Sequence, residues 1–310
     1  MWAVKKIGGV ILLFQVLISG LALGCIYALV AMGYNLTFWT LKIINFAQGD
    51  LLMIVVMLSL SFGILWFKLP MIFAIIIALI IAALIGVFLQ KVAILPLLKN
   101  PSSSGWIVST MGAGIALQSI AVILWGTMEM AFPYFLGKQV IIKIGSATLD
   151  MQWLIIMGVT LAIVLLFEVF INNTIFGKAI KATAADKFAA RAMGINTDKI
   201  VIFSVTSSAV LAGIAGVLIA PILSANPYMG SMIGIKGFAA AVLGGMGSTK
   251  GALVGGIIIG ISELLASGFI NPALKDVVSL LILFGVLVFL PNGIFGQQYY
   301  EKTNGKMSRG

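Results

Sequence analysis

Long apolar stretches alternate with short polar ones along the whole chain. Runs such as that from Met71 to Ile94 are apolar on every side, which is typical of lipid-facing helices and excludes the alternating pattern of a transmembrane β-barrel. Because roughly 20 helical residues cross a bilayer, the pattern predicts eight or nine membrane segments. They lie at about residues 8–37, 47–67, 71–95, 105–126, 150–171, 199–222, 232–247, 251–269 and 273–290.

The seventh segment is too short for an ordinary crossing. Its length of about 16 residues predicts a half-helix or a re-entrant piece. All eight prolines fall at or near the proposed segment ends, where a missing backbone N–H costs least. We therefore predict an all-α fold, a polytopic transmembrane helical bundle in one domain over residues 1–310, with a short C-terminal tail at about 292–310.

The composition supports an integral membrane protein, since 61% of the 310 residues are hydrophobic and only 9% are charged. The net charge of +10 is spread among loops of such a protein, where it records orientation and does not indicate nucleic acid. A single cysteine, Cys25, excludes an intrachain disulfide, and no metal site is expected. The N-terminal apolar run is too long for a signal peptide and predicts the first membrane helix.

Basic residues indicate which loops face the cytoplasm. The segment at about 176–199 holds five basic residues against two acidic ones, so the positive-inside rule makes it cytoplasmic. The loop with Lys91 and Lys99 and the C-terminal tail agree with this, and the loop at 127–149 then lies outside. Lys5 and Lys6 do not fit, because counting back through every segment puts the N-terminus outside, and its side stays open.

The cytoplasmic segment has an amphipathic pattern. A narrow apolar stripe recurs at every fourth residue of a helix, at Ile180, Ala184, Phe188 and Ala192. Gly194 is placed to end this helix, and Asn196 or Thr197 to cap the next one. Such a helix either lies on the lipid surface or docks in a groove of a cytoplasmic partner, and the residues leave both open.

Other polar groups within the apolar stretches are few. The run "GGMGSTKG" at 244–251 lacks the glycine before lysine that a phosphate-binding P-loop requires, so it predicts a break between two half-helices. The intramembrane carboxylates Glu168 and Glu263 lie near segment ends, where a local partner or snorkelling explains them. No nucleophile is paired with a base, so the chain is not expected to be an enzyme.

The stretch "IINFAQGD" at 43–50 places two amides, a glycine and a carboxylate at the start of the second segment. Asn45 can cap this helix, and Asp50 favours its positive end. Alternatively, Asn45, Gln48 and Gly49 share one helix face and line a transport path. The residues alone leave the two interpretations open.

Three stretches resemble the LivH-type permeases of bacterial branched-chain amino acid ABC transporters. They are "LGCIYALVAMGYNLTFWTLKIINFAQGDLLM", "FGKAIKATAADKFAARAMGINTDKI", and "ANPYMGSMIGIKGFAAAVLGGMGSTKGALVGGIIIGISELL" with the following "KDVVSLLILFGVLVFLPNGIFG". The resemblance implies a type II-like importer permease of the bacterial inner membrane. It implies three kinds of protein partner: a second LivM-like permease, two cytoplasmic ATPase subunits that bind ATP and Mg, and an extracytoplasmic solute-binding protein. Membrane lipid surrounds the chain, and no nucleic-acid partner is implied.

The resemblance also assigns roles to residues. It places Ala184, Ala185 and Gly194 at ATPase-coupling positions and the polar turn at 43–50 beside the translocation route. We predict that the coupling positions are Ala184, Ala185, Phe188, Arg191 and Gly194, and that the translocation-path positions are Asn45, Phe46, Gln48, Gly49, Gly244, Gly245 and Gly247. Thr183 stands where the wider ABC-permease motif has glutamate. The implied cargo is a branched-chain amino acid, with urea, short amides or small organic acids as same-family alternatives. A self-sufficient carrier or channel is the alternative from another class.

Overall fold

The computed structural model describes residues 2–97, 105–144 and 147–296. Eleven helices and one hairpin make up this part of the chain: α1 Trp2–Leu41, α2 Gln48–Leu60, α3 Met71–Leu89, α4 Gly105–Trp125, β1 Ile141–Ile144, β2 Ala147–Asp150, α5 Met151–Asn173, α6 Ile175–Ala185, α7 Lys187–Ala192, α8 Thr197–Leu223, α9 Met229–Gly244, α10 Thr249–Phe269 and α11 Lys275–Phe289. Short π-helical turns extend α2 through Ser61–Leu65 and α3 through Gln90–Ile94, and a 3-10 turn, Pro272–Leu274, precedes α11.

The predicted polytopic helical fold is confirmed. Eight helices of the described residues are long and apolar enough to cross a membrane, and α9 is the short additional helix that the sequence predicts. Helix ends agree with the predicted segments to within a few residues, except that α1 begins at Trp2, before the predicted start at about residue 8, and continues to Leu41. The antiparallel hairpin of β1 and β2 lies within the loop predicted to be outside.

Helices α1, α2, α8, α9 and α10 form the centre of the bundle, and α3, α4, α5 and α11 cover it with mostly exposed apolar side chains. Helix α1 packs closely against α10 through Gly24 and Gly256, where an added Cβ would overlap the backbone of the other helix. In lipid the hydrophobic effect does not drive helices together, so close packing through small residues stabilises helix pairs instead. The tightly packed bundle predicted from glycines four residues apart is therefore confirmed for this pair.

The start of α1 lies at the hairpin end of the bundle. The Gln15 side-chain amide donates to the carbonyl and hydroxyl oxygens of Thr148, 2.9 and 3.0 Å away. At the same end Gln152, beside the hairpin, donates to the Leu218 carbonyl late in α8. Gln15, near the beginning of the membrane-spanning part of α1, therefore lies at the same end of the bundle as the hairpin loop, and the outside position of both stays a prediction.

The helices fall into two sets with matching contacts. In the first set, α1 packs on α9 and α10 of the second set. In the second set, α8 packs in the same way on α2 and α3 of the first set. Helix α4 covers α2, and α11 correspondingly covers α9. The start of α1 and the end of α8 lie at the same end of the bundle, so the two sets run in opposite directions. Helices α1–α4 and α8–α11 therefore form an inverted repeat, an arrangement that occurs in transporter folds.

Candidate functional site

The polar turn before α2 does not cap that helix in the predicted way. Helix α2 begins at Gln48, and its N-cap, Ala47, makes no side-chain capping bond. The Asn45 Oδ1 atom instead accepts from the Ala47 N–H at 3.2 Å, and the Asn45 carbonyl accepts from the Gln48 N–H at 3.1 Å. The interpretation that Asn45 caps α2 is wrong, because its side chain accepts from the Ala47 N–H within the turn that leads into the helix. Asn45 also lies outside the helix, so it does not share a helix face with Gln48 and Gly49.

The turn before α9 repeats this arrangement. The Asn226 Oδ1 atom accepts from the Tyr228 N–H at 2.9 Å, and the Asn226 carbonyl accepts from the Met229 N–H at 3.3 Å. In both turns a glycine follows the asparagine four residues later, Gly49 in α2 and Gly230 in α9. Sequence reasoning missed this second turn, although the shared Asn-x-x-x-Gly spacing was a signal that could have found it.

The two glycines meet where α2 and α9 begin. A Cβ on Gly49 would overlap the carbonyl oxygen of Gly230, and a Cβ on Gly230 would overlap the carbonyl oxygen of Gly49. Both glycines are buried. The N-termini of the two equivalent helices of the repeat are thus in backbone contact inside the bundle.

Gln48 and Phe46 lie on different sides of this contact. Gln48 is fully buried, and its amide nitrogen donates to the Ser208 carbonyl at 2.8 Å while its oxygen lies 2.9 Å from the Ser208 hydroxyl. Phe46 is partly exposed, with its ring 6.5 Å from that of Trp106 and 5.6 Å from that of Phe238. Gln48 therefore ties α2 to α8, whereas Phe46 contributes to an aromatic surface on α4 and α9.

Two equivalent residues of the repeat face helix α4. The Asp50 carboxylate occupies the space in which a side chain on Gly114 would lie. One turn further along α4, the Gln118 amide donates to the Ser231 hydroxyl at 3.2 Å. Asp50 and Ser231 each follow the glycine of their turn, so both helix starts present a polar side chain to one face of α4.

The glycines at 244, 245 and 247 form a packed turn between α9 and α10. Gly245 and Gly247 have φ values of +95° and +88°, which favour glycine. The Asn35 side chain accepts from the Gly247 N–H and donates to the Ser248 carbonyl, both at 2.9 Å, and the Trp39 indole donates to the Gly247 carbonyl. The predicted break between two helices is confirmed, and contact of these glycines with cargo stays a prediction.

A buried ionic cluster joins four helices. Lys236 of α9 lies 2.5 Å from the Glu263 carboxylate of α10 and 2.6 Å from that of Asp276 in α11. Tyr27 of α1 donates to Glu263 at 2.7 Å, and Lys275 lies 3.5 Å from it. The local partner predicted for Glu263 is present, but the sequence analysis overlooked Lys236, a lysine within an apolar stretch.

The segment predicted to be one amphipathic helix is divided in two. Asp186 has an extended backbone and accepts from the N–H groups of Phe188 and Ala189 at 2.8 and 3.0 Å, so it caps α7 and ends α6. Ile180 is consequently buried while Phe188 is 85% exposed. The prediction of a continuous apolar stripe is wrong, because the Asp186 cap ends α6 and changes the direction of the chain.

The coupling positions lie at the tip of this segment. Ala184 and Ala185 are the last residues of α6. Gly194 lies in the turn that follows α7 and has a φ of +82°, which favours glycine. Arg191 bonds Asp198 and Thr197, each at 2.7 Å, which ties α7 to the first turn of α8. The predicted cap of α8 by Asn196 is confirmed by its bond to the Lys199 N–H.

At the hairpin end, a cleft of about 390 Å³ is lined by residues including Tyr134, Gln139, Asp150 and Trp153. The Gln139 amide donates to the Asp150 carboxylate at 2.8 Å, and that carboxylate also caps α5 by accepting from the Gln152 N–H. Desolvation raises the pKa of Tyr134, and the neighbouring Asp150 charge adds to the effect. This cleft is polar and opens on the side predicted to be outside.

The model of the family described as "Branched-chain amino acid transport system / permease component" matches residues 16–287 of the chain. The chain belongs to this family. Among its relatives are the high-affinity branched-chain amino acid transport system permease proteins LivH of Salmonella typhimurium, 35% identical over 300 residues, and BraD of Pseudomonas aeruginosa, 31% identical over 300 residues. Each alignment covers 93% of this chain and 97% of the relative.

One similar solved structure is PsaBC from Streptococcus pneumoniae in complex with Fab. The alignment covers 92% of this permease and 94% of the PsaBC chain, with a TM-score of 0.49 and 17% sequence identity. Family membership and the eight apolar helices make this permease a multi-pass protein of the inner membrane. The resemblance predicted from the motifs is confirmed.

Proposed function

We propose that this permease is the membrane subunit of an ATP-driven importer that translocates branched-chain amino acids. The observation that carries the proposal is the family match together with 35% identity to a LivH permease along nearly the whole chain. A LivM-like second permease, two cytoplasmic ATPases and an extracytoplasmic binding protein complete the transporter. ATP and Mg are bound by the ATPases, which hydrolyse the nucleotide.

The segment from α6 to Gly194 is the proposed contact with the ATPase. Its tip exposes two large apolar side chains, Phe188 at 85% and Met193 at 83%, beside the basic residues Lys187 and Arg191. Exposed apolar groups surrounded by charge are typical of a surface that a protein partner covers. The short α7 is held against α8 by the Arg191–Asp198 pair, so movement of the partner passes to a membrane helix.

Substitution of Phe188 tests this contact in the complete transporter. Phe188→Glu is expected to leave the amount of membrane-inserted protein unchanged but to reduce co-purification of the ATPases and leucine uptake about tenfold or more, as loss of a hot-spot anchor does. Phe188→Leu is the matched control, because it keeps an apolar group at the tip. Normal uptake and ATPase retention in Phe188→Glu would contradict the docking role.

The cargo is tested separately by uptake of labelled solutes. With all subunits present, leucine, isoleucine and valine are expected to enter in an ATP-dependent manner, while urea, acetamide and propionate do not. Preferential uptake of one of the latter would replace the branched-chain assignment by its same-family alternative. Uptake by liposomes that contain this chain alone would instead indicate a self-sufficient carrier or channel.

A further inference from the structure

We propose that the space between α4 and the starts of α2 and α9 is a cargo-binding position in which Asp50 holds the α-ammonium group of a zwitterionic amino acid. The proposal rests on the proposed function and adds a residue, Asp50, that the motif-based path positions do not include. Three observations carry it: an uncompensated buried carboxylate, donors one helical turn away, and an adjoining apolar surface.

The carboxylate is buried without a cationic partner. Asp50 is only 8% exposed, yet it makes no ion pair within the part of the chain that the structure describes, and its neighbour on α4 is Gly114. The α2 N-terminus favours the negative charge but does not neutralise it. Ionisable groups inside membranes are costly and mark substrate pathways when nothing pairs with them.

Hydrogen-bond donors lie at a spacing that suits an amino acid. Gly114 and Gln118 are one turn apart on α4, about 6 Å along the axis, and they contact Asp50 and Ser231 respectively. The Ser231 hydroxyl and the Gln118 amide are partly exposed and can donate to a carboxylate. Ser231 also lies in the first turn of α9, whose dipole favours an anion. The ammonium group of the zwitterion thus meets the Asp50 carboxylate, and its carboxylate meets two neutral hydrogen-bond donors at a helix N-terminus.

An apolar surface adjoins these polar groups. On α9, the face that carries Ser231 continues through Ile235, 42% exposed, to Phe238, whose ring contacts that of Phe46. Trp106 of α4 stacks on the other side of Phe46. A branched aliphatic side chain fits this aromatic and aliphatic wall, while urea or a simple amide offers neither a cation for Asp50 nor an apolar group for the wall.

The inverted repeat supplies a decisive test. Asp50 and Ser231 are equivalent residues, so the exchange Asp50→Ser/Ser231→Asp moves the carboxylate to the other helix start without removing it from the space. In the complete transporter, Asp50→Asn is expected to lower the maximal rate of leucine uptake about 10- to 100-fold, the loss typical of a charged hydrogen bond. The concentration of loaded binding protein that gives half-maximal uptake should stay unchanged.

The exchange variant is expected to recover uptake to within about threefold to tenfold of the wild type. The cargo can then bind in the reverse orientation, with its ammonium group at the new carboxylate of position 231 and its carboxylate at the new hydroxyl of position 50, about one helical turn away. Glu168→Gln is the matched control, because this carboxylate is paired with Lys250 and should be dispensable. Wild-type uptake by folded Asp50→Asn would overturn the proposal. So would an exchange variant that folds and retains its ATPases but transports no better than Asp50→Asn.

Failure of the proposed function would look different. In that case the wild-type transporter itself would not import leucine. If Asp50 merely stabilises α2, Asp50→Asn would reduce the amount of folded protein and the remaining molecules would transport leucine at the normal rate, which overturns the cargo role.

Discussion

Glu263 and Asp50 are carboxylates in membrane-spanning helices, and their surroundings differ sharply. Glu263 is fully buried and receives Lys236 at 2.5 Å, Lys275 at 3.5 Å and the Tyr27 hydroxyl at 2.7 Å. Asp50 is 8% exposed and faces a glycine. Two lysines and two carboxylates, with Asp276 as the second, balance the charge of the first site, whereas Asp50 forms no ion pair within the described residues.

The difference separates a structural role from a functional one. A buried ion pair that is fully compensated fixes the relative positions of its helices, here α1, α9, α10 and α11, and removal of one partner leaves a charge without solvent. A carboxylate without a partner adds no such tie and instead leaves free capacity for a cation. The following predictions test this contrast in order of decreasing effect on stability.

The largest loss of stability is expected for Lys236→Met. This change leaves Glu263 with the Tyr27 hydrogen bond and, as its only cation, the more distant Lys275. Breaking a buried pair in this way costs about 3–5 kcal/mol. Thermal unfolding of the purified transporter in detergent measures the effect. The double variant Lys236→Met/Glu263→Gln should regain most of the loss, and a single variant as stable as the wild type would contradict the structural role.

Tyr27→Phe is expected to have the next largest effect. It removes the 2.7 Å hydrogen bond to Glu263 while the ring keeps its packing, and a bond to a charged group contributes about 1.5–3 kcal/mol. The melting temperature is the measurement. Tyr34→Phe on the same helix is the control, since the described residues include no carboxylate that accepts from Tyr34, and equal losses in both variants would contradict the prediction.

Gly114→Ala tests the other site. The new methyl group would occupy the space of the Asp50 carboxylate, which then has to move, and such overpacking costs about 1–3 kcal/mol. Leucine uptake should fall along with the melting temperature. Gly112→Ala on the same helix is the control, because nothing lies within 4 Å of a Cβ at that position. Unchanged uptake in Gly114→Ala would show that the position of the carboxylate is unimportant.

The smallest effect is expected for Asp276→Asn. This side chain is 48% exposed, so its bond to Lys236 is partly screened and contributes below about 1 kcal/mol. Lys236 keeps Glu263 as its buried partner. A melting temperature within a few degrees of the wild type is expected, and a loss as large as that of Lys236→Met would mean that α11 rather than α10 determines the stability of the cluster.

The candidate sites differ in how far the sequence could predict them. The motif with Asn45 and Gly49 is evident in the sequence, but its equivalent with Asn226 and Gly230 is not, since two matched positions within a hydrophobic chain give a weak signal. The division at Asp186 was missed because an amphipathic period predicts a continuous helix, whereas one capping side chain suffices to end it.

The sequence by itself determined the membrane class, the eight or nine membrane segments and most of their ends, because apolar length and the placement of proline and glycine are local properties of the chain. It also determined the family through its motifs. Only the tertiary structure decided which polar groups meet. Gly49 contacts Gly230 and Lys236 pairs with Glu263 because the inverted repeat brings distant helices together. A hydropathy pattern records which segments lie in the membrane but not which side chain faces which neighbour.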